Sequence, residues 1–249
     1  MNIRIGTDCS GIEAPVQALK KLKKRYGITY EHIFSSEIDP YAIKFIKANY
    51  NPTILYGDGP FGGNRLMSGI ADKPIGRILI SNDDGIDAIG ITILREIASH
   101  LSNDIWMIAP SENRSGASRS ITLRNDVLIE EIAPKTFKCS GTPSDCIIFG
   151  MTQILDFPPN LVLTGINHGM NVADDILYSG TVAGAMEASL LGVPAIALSQ
   201  RHGRDDPIDY AASSLYGTKV IRHILDMGIP QRTVMNVNFP TTKPTELKG

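Results

Sequence analysis

The sequence predicts an α/β protein whose main domain has a Rossmann-like, mostly parallel sheet with helices on both faces. Short apolar runs, such as residues 78–80 and 161–164, fit strands that are buried on both sides. These runs end in polar turns that contain glycine, and apolar residues at helical spacing often follow them. Such alternation of strand and helix is typical of a parallel sheet in which helices connect successive strands.

Composition excludes few classes of function. The chain has 249 residues and a formal net charge of -2, so neither DNA nor another nucleic acid is expected as a partner. No apolar run reaches membrane-spanning length, and the N-terminus lacks a signal-peptide pattern. The three cysteines lack zinc-like spacing and are most simply read as reduced thiols, which predicts a cytoplasmic location.

Residues 1–58 are predicted to form a partial α/β segment, because strand and helix patterns alternate there. The predicted elements are a strand at 3–6, a helix that closes near Gly27, a strand that ends before Glu37, a helix at 41–50 and a strand at 53–56.

The loops after the first two strands of this segment carry two motifs. These are Asp-Cys-Ser-Gly-Ile-Glu at residues 8–13 and Glu-Ile-Asp-Pro-Tyr-Ala at residues 37–42. The segment resembles the amino-terminal part of C5-cytosine DNA methyltransferases, which implies that Glu37 holds the ribose of S-adenosylmethionine. Residues 57–76 contain no cysteine, so the catalytic Pro-Cys motif of that family is missing. Without this nucleophile covalent cytosine chemistry is not possible, and we interpret the segment as a fragment.

Residues 59–76 are rich in glycine and proline and have no periodicity, which predicts a linker before a main domain at residues 77–249. Within that domain, Thr142, Pro143 and Asp145 form a helix-start pattern that explains Asp145 as a capping rather than a catalytic residue. The predicted strands are 78–80, 104–109, 126–132 (in a hairpin), 161–164, 194–199 and 233–238, and the predicted helices lie around 93–101, after 142, from 178–182 to 191, and at 208–226.

Asp83 and Asp84 lie in the predicted turn between the first strand and the first helix of the main domain. In an open α/β sheet this turn lies at the carboxyl end of the strand, where ligands bind. Two adjacent carboxylates repel each other unless a cation lies between them, and Mg²⁺ and Mn²⁺ prefer oxygen ligands. The alternative interpretation is an ordinary Asn-Asp-Asp-Gly turn, in which Gly85 supplies the backbone freedom.

Two further loops at predicted strand ends offer oxygen ligands. Ser115 and Gly116 could offer a hydroxyl and free amides to a metal or a phosphate, although an ordinary surface turn is the simpler interpretation. Asn167 offers a neutral oxygen in the loop predicted at residues 165–171. His168, in the same loop, is either a general acid or base or simply an exposed side chain.

A fourth loop opens a helix with Ser179, Gly180 and Thr181. Free amides at the positive end of a helix bind phosphate, so these residues predict a phosphate-binding position. Because the carboxyl ends of parallel strands converge on one edge, the four loops are expected to meet there. Two carboxylates, a hydroxyl and an amide oxygen suit a hard metal whose bound water attacks a phosphate ester.

Five motifs occur in order along the main domain. They are Ser-Asn-Asp-Asp-Gly at 81–85, Ala-Pro at 109–110 with Asn-Arg-Ser-Gly at 113–116, Gly-Thr-Pro-Ser-Asp-Cys at 141–146, Gly-Ile-Asn-His-Gly at 165–169 and Tyr-Ser-Gly-Thr at 178–181. On these motifs, residues 77–240 resemble the SurE family of survival-protein nucleotidases.

The resemblance implies a divalent-metal-dependent phosphomonoesterase that hydrolyses nucleoside 5′- and 3′-monophosphates and assembles as a homodimer or tetramer. Catalysis is expected of Asp83 and Asp84, and our own hypothesis is that Asp83 also orients the attacking water. The implied ligands of Mn²⁺ or Mg²⁺ are Asp83, Asp84, Ser115 and Asn167. The phosphate-binding residues expected from the motifs and the resemblance together are Ser115, Gly116, Asn171, Ser179, Gly180 and Thr181.

The chain departs from the family pattern at both ends. Members of the family normally begin near the equivalent of Arg77 and continue past the equivalent of Gly249. The chain is therefore expected to be truncated at its C-terminus and joined to a foreign N-terminal segment. The alternative prediction is a catalytically inactive fused or truncated chain, with weak S-adenosylmethionine binding by the N-terminal segment.

Overall fold

The computed structural model describes residues 2–8, 29–36, 54–56, 74–203 and 207–241. The chain divides into two compact units, one built on residues 1–69 and the other on residues 70–247. Most of the predicted linker at 59–76 lies outside the described residues. Its last part packs on the second unit, where the Ile75 N–H donates to the Leu101 carbonyl oxygen at 2.8 Å.

The first unit contains a three-stranded parallel sheet in which the strands lie in chain order. Its strands are β1 (Asn2–Asp8), β2 (Thr29–Ser36) and β3 (Ile54–Tyr56). The three predicted strands are therefore confirmed. The predicted helices between them lie outside the described residues, as do both methyltransferase-like motifs apart from Asp8. That resemblance stays a prediction.

The second unit is built on a seven-stranded sheet. Its strands are β4 (Ile78–Ser81), β5 (Ile105–Pro110), β6 (Ile129–Ala133), β7 (Thr136–Cys139), β8 (Leu161–His168), β9 (Ala195–Gln200) and β10 (Val234–Phe239). The order is β10-β9-β8-β4-β5-β7-β6, and every neighbouring pair is parallel except the β6–β7 hairpin at one edge. The predicted mostly parallel sheet is confirmed, although β7 was not predicted.

Helices cover both faces of this sheet. They are α1 (Ile89–Ser99), α2 (Pro143–Phe149), α3 (Gly180–Leu190) and α4 (Ala211–Met227), with a π-helical turn at Gly150–Ile154 and a 3-10 helix at Ala173–Leu177. Ile78 and Ile80 point into a core shared with α1 and α4, whereas Leu79 points into a core shared with α2 and α3. No helix within the described ranges is long and apolar enough to cross a membrane.

The start of α2 confirms the capping interpretation of Asp145. The Thr142 side chain accepts from the Asp145 N–H at 3.2 Å, and Asp145 Oδ2 accepts from the Thr142 N–H at 2.9 Å. Asp145 also accepts from the Thr122 N–H at 3.0 Å and from the Thr122 hydroxyl at 2.6 Å. All of these contacts are structural, because they fix the N-terminus of α2 and the loop that packs on it.

The prediction that the chain leaves the sheet after residue 164 is wrong. Strand β8 continues to His168, with Asn167 opposite Ser199 on β9 and a register irregularity between Thr164 and Asn167. Gly165 lies in this bulge with φ +127°, and a Cβ there would lie 2.2 Å from the Leu198 carbonyl oxygen. Glycine is therefore required here because two strands approach closely, whereas in the sequence the same glycine is equally typical of a loop.

Candidate active site

The turn after β4 is closed by Asn82, which leaves the two aspartates free for other contacts. The Asn82 Nδ2 donates to the Gly85 carbonyl oxygen at 2.8 Å, and its Oδ1 accepts from the Gly85 N–H at 3.2 Å. Gly85 has φ +106°, a conformation that L side chains rarely adopt. The turn chemistry expected for Asn-Asp-Asp-Gly is therefore present, but Asn82 and Gly85 perform it.

Asp83 lies buried against the N-terminus of α3. Its carboxylate accepts a short hydrogen bond from the Thr181 hydroxyl, and only 3 % of the residue is exposed. A Cβ at Gly180 would lie 2.7 Å from the Asp83 Cβ and 2.9 Å from its Oδ2, so the missing side chain makes room for the carboxylate. Burial raises the pKa of Asp83 to about 6, although the Thr181 hydroxyl opposes this rise.

Asp84 is held from the other side of the site. Its Oδ2 accepts from the backbone N–H of His168 at 3.1 Å, so the end of β8 fixes this carboxylate. Burial raises the pKa of Asp84, while the His168 N–H opposes the rise, and the charge of Asp84 also raises the pKa of Asp83. In the part of the chain that the structure describes, neither carboxylate forms an ion pair.

Two buried or half-buried carboxylates that form no ion pair among the described residues fit a bound cation. Among residues 74–203 and 207–241, no group of three or more His, Cys, Asp or Glu side chains is arranged to hold a metal. Any further protein ligands would therefore be neutral oxygens, such as those of Ser115 and Asn167. Such a donor set is typical of Mg²⁺ or Mn²⁺, which bind oxygen and keep several water ligands.

The loop after β5 is tied to the backbone of Asp83. The Arg114 N–H donates to the Asp83 carbonyl oxygen at 2.7 Å, and the Ser115 N–H donates to Asn113 Oδ1 at 2.7 Å. Ser115 and Gly116 are exposed, and Gly116 has φ +76°. The structure thus brings this loop to the acidic turn, as the convergence of strand ends predicts. Its contacts with metal or phosphate stay predictions.

Asn167 and Asn171 flank the end of β8 in different environments. Asn167 is half-buried, and its Nδ2 donates to the Gly169 carbonyl oxygen at 2.8 Å. Asn171 is buried, and its Nδ2 donates to Ser199 Oγ at 2.9 Å while its N–H donates to Asn238 Oδ1 at 2.8 Å. Asn171 therefore belongs to a polar cluster at the ends of β9 and β10, and its contact with phosphate stays a prediction.

The predicted phosphate-binding position at the start of α3 is shared with a protein carboxylate. Ser179 is the N-cap, and its hydroxyl accepts from the Val182 N–H at 3.1 Å. Thr181 directs both its hydroxyl and its backbone N–H toward Asp83. The helix N-terminus consequently stabilises the Asp83 anion as well as offering its remaining donors to a ligand.

Two aromatic side chains near Asp84 were missed from the sequence. The rings of His168 and His202 form a T-shaped pair with centroids 4.8 Å apart. Burial raises the pKa of Tyr210 to about 12, and the negative charge of nearby Asp84 adds to the rise. No motif signals His202 or Tyr210, because each reaches the site only through the packing of β9 and α4 beside β8. The hydrogen bond from His168 to Asp84 is made by its backbone N–H, and the charge of its ring also opposes the rise in the pKa of Asp84.

The fold and this site define a doubly wound α/β protein with an acidic pair, buried at Asp83 and half-buried at Asp84, at the carboxyl edge of its parallel strands, the position where such sheets bind ligands. The family model described as "Survival protein SurE" matches residues 78–249. The chain therefore belongs to the SurE family.

Curated relatives and a solved structure agree with this assignment. A protein of Afipia carboxidovorans named 5′-nucleotidase SurE is 46 % identical over 178 residues, which cover 70 % of this chain and 69 % of that protein. A protein of the same name from Rhodopseudomonas palustris is 47 % identical with the same coverage. The crystal structure of the SurE protein from Aquifex aeolicus superposes with a TM-score of 0.64 at 37 % identity, covering 70 % of this chain and 69 % of that one.

Proposed function

We propose that this chain is a divalent-metal-dependent phosphomonoesterase that hydrolyses nucleoside 5′- and 3′-monophosphates to nucleoside and phosphate. The observation that carries the proposal is the Asp83–Asp84 pair, which lies buried or half-buried at the carboxyl edge of the sheet with no ion pair among the described residues. The names of the relatives, each a 5′-nucleotidase, support the 5′ activity.

The metal in this proposal is Mn²⁺ or Mg²⁺, held by oxygens of Asp83, Asp84, Ser115 and Asn167. A bound cation of this kind lowers the pKa of its water ligand, so that hydroxide becomes available near neutral pH. The donor set fits, because it combines two carboxylates with neutral oxygens and leaves positions for water.

The protein groups around the pair supply positioning. Asp83 has one oxygen fixed by the Thr181 hydroxyl, so its carboxylate has a single orientation in which to align the attacking water and accept its proton. The phosphate oxygens lie against the loop of Ser115 and Gly116 and against the start of α3. A helix N-terminus stabilises the negative charge on these oxygens.

Phosphate release tests the proposal directly. The panel contains nucleoside 5′- and 3′-monophosphates, assayed with Mn²⁺, with Mg²⁺ and with a chelator. Asp83→Asn is expected to lower turnover by at least about 100-fold, because it removes a proton acceptor and a metal ligand. Asp104→Asn is the matched control, since Asp104 binds Arg77 and Lys135 at the start of β5, away from the acidic turn.

The outcomes separate the two predictions made from the sequence. Metal-dependent release that is lost in Asp83→Asn and kept in Asp104→Asn supports the nucleotidase. Release that survives chelation, or survives in Asp83→Asn, contradicts the proposed role of the pair. A folded wild-type chain that releases no phosphate under any condition supports the inactive alternative. Light scattering on the same samples tests the expected homodimer or tetramer.

A further inference from the structure

The imidazole pair of His168 and His202 lies beside the acidic site and takes no part in the chemistry proposed above. The two ring centroids are 4.8 Å apart and the ring planes are 81° from parallel. Both residues are exposed. A T-shaped pair uses the edge of one ring and the face of the other, which leaves ring surface open to a further aromatic partner.

Several contacts fix this pair relative to Asp84. The backbone N–H of His168 donates to Asp84 Oδ2 at 3.1 Å, so one residue of the pair contacts the carboxylate directly through its backbone. The Gly169 N–H donates to the Gln200 carbonyl oxygen at 2.9 Å, which holds the end of β8 against the end of β9 just before His202. The pair is therefore part of the site's framework.

The orientation of the His202 ring is also fixed. Its Nδ1 lies 2.6 Å from the Gly203 carbonyl oxygen, which can only accept, so Nδ1 carries the hydrogen. The opposite edge of the ring lies over the backbone of Gly169, where a Cβ would be 3.9 Å from both Cδ2 and Nε2. Gly169 has φ +110°, so a residue with a side chain would be strained at this position.

We propose that the ring pair of His168 and His202 forms a stacking surface for the purine or pyrimidine base of the nucleotide. This inference rests on the proposed nucleotidase activity and specifies how that site selects its substrate. In a nucleoside monophosphate one sugar separates the phosphate from the base, so a phosphate at the acidic pair places the base beside the adjoining residues. Histidine rings stack on bases as other aromatic side chains do, and such stacking tolerates any base.

The test compares a nucleoside 5′-monophosphate with ribose 5-phosphate, which keeps the sugar and phosphate but lacks the base. The measured quantity is the ratio of the two kcat/KM values. The His202→Ala variant and the double variant that adds His168→Ala are each expected to lower this ratio by roughly tenfold, which is the size of one lost base-stacking contact. His202→Phe retains a ring and is expected to keep most of the ratio. His100→Ala is the control, since His100 is an exposed histidine at the C-terminus of α1.

Equilibrium binding of the nucleoside monophosphate in excess chelator gives a second readout that needs no turnover. Weaker binding by His202→Ala, restored in His202→Phe, supports the stacking surface. An unchanged ratio together with unchanged binding overturns it. So does an equal loss on both substrates, because such a loss indicates a role at the phosphate. If the wild type hydrolyses neither substrate, the nucleotidase proposal fails, and the binding comparison still decides whether the rings hold a base.

Discussion

Replacing Asp83 with asparagine is expected to stabilise the metal-free protein at neutral pH while it abolishes turnover. Burial raises the pKa of Asp83 from 3.8 to about 6, so the folded protein binds this proton more tightly than the unfolded chain does. The stabilisation that comes from this tighter proton binding is complete below the pKa of Asp83 in the unfolded chain, and it is lost as the pH rises through the pKa of Asp83 in the folded protein. At neutral pH the charged form therefore costs the fold about 3 kcal/mol, which Asp83→Asn removes.

Urea denaturation in excess chelator, from about pH 4 to about pH 8, measures this cost as a free energy of unfolding. The wild type is expected to lose about 2 kcal/mol relative to Asp83→Asn between about pH 4 and pH 6, and the rest of the roughly 3 kcal/mol falls below and above this window. Asp104 does not interfere, because hydrogen bonds from Lys135 and Arg77 lower its pKa to about 2. The stability that the Asp104 carboxylate contributes is present above pH 3.8 and is lost only as the pH falls toward about 2. Asp104→Asn should therefore keep the wild-type pH dependence in this window.

Parallel curves for the wild type and Asp83→Asn would refute the claim that Asp83 is a buried, uncompensated charge. Mn²⁺ supplies an independent check, since a ligand that binds only the folded state raises its stability in proportion to RT ln(1 + [L]/Kd). The wild type should gain stability from Mn²⁺ at neutral pH and Asp83→Asn should not. Added metal is thus expected to reverse the order of the two stabilities.

Two further substitutions test the contacts that hold this carboxylate. Thr181→Val should lower the free energy of unfolding, measured in urea at a fixed low salt concentration, by roughly 1.5–3 kcal/mol, because it removes a buried hydrogen bond to an acid. Thr164→Val removes a buried hydroxyl without a partner and should leave the free energy of unfolding unchanged or raise it. Equal losses would contradict the contact. Gly180→Ala should lower phosphate release by about 100-fold, because its Cβ would displace Asp83. Gly184→Ala should retain activity, because its Cβ would come no nearer than 3.1 Å to any neighbour, the Thr164 methyl, and would not touch Asp83. Similar rates for the two alanine variants would show that the gap at Gly180 is not needed.

The sheet and its helices could be predicted because their signals are local. Residues 78–80 and 161–164 are continuous apolar runs, as buried parallel strands require, and the capping box at Thr142 marks a helix start on its own. The extension of β8 to His168 could not be predicted, because glycine at 165 is equally typical of a loop and of a bulge. Strand β7 was missed because its four residues lie in a hairpin whose partner dominates the pattern.

The candidate site divides in the same way. The carboxylate pair could be recognised because Asp83 and Asp84 are adjacent and follow a buried strand. The contact between Thr181 and Asp83 joins positions 98 residues apart, and only the packing of α3 against the end of β4 brings them together. His202 likewise reaches His168 through the pairing of β8 with β9. Such long-range contacts depend on register, which the pattern of one strand does not fix.

The contacts around Asp83 explain how the fold tolerates a charge in a buried position. Asn82 shapes the turn, the Arg114 N–H binds the Asp83 carbonyl oxygen, and the gap at Gly180 admits the carboxylate to the N-terminus of α3. Each contact is made by a different element, so no single rotamer change relieves the burial. A cost of about 3 kcal/mol is tolerable in a domain whose net stability is typically about 5–15 kcal/mol. The same rigidity keeps the carboxylate oriented before any ligand arrives, which is what the catalytic role proposed for Asp83 requires.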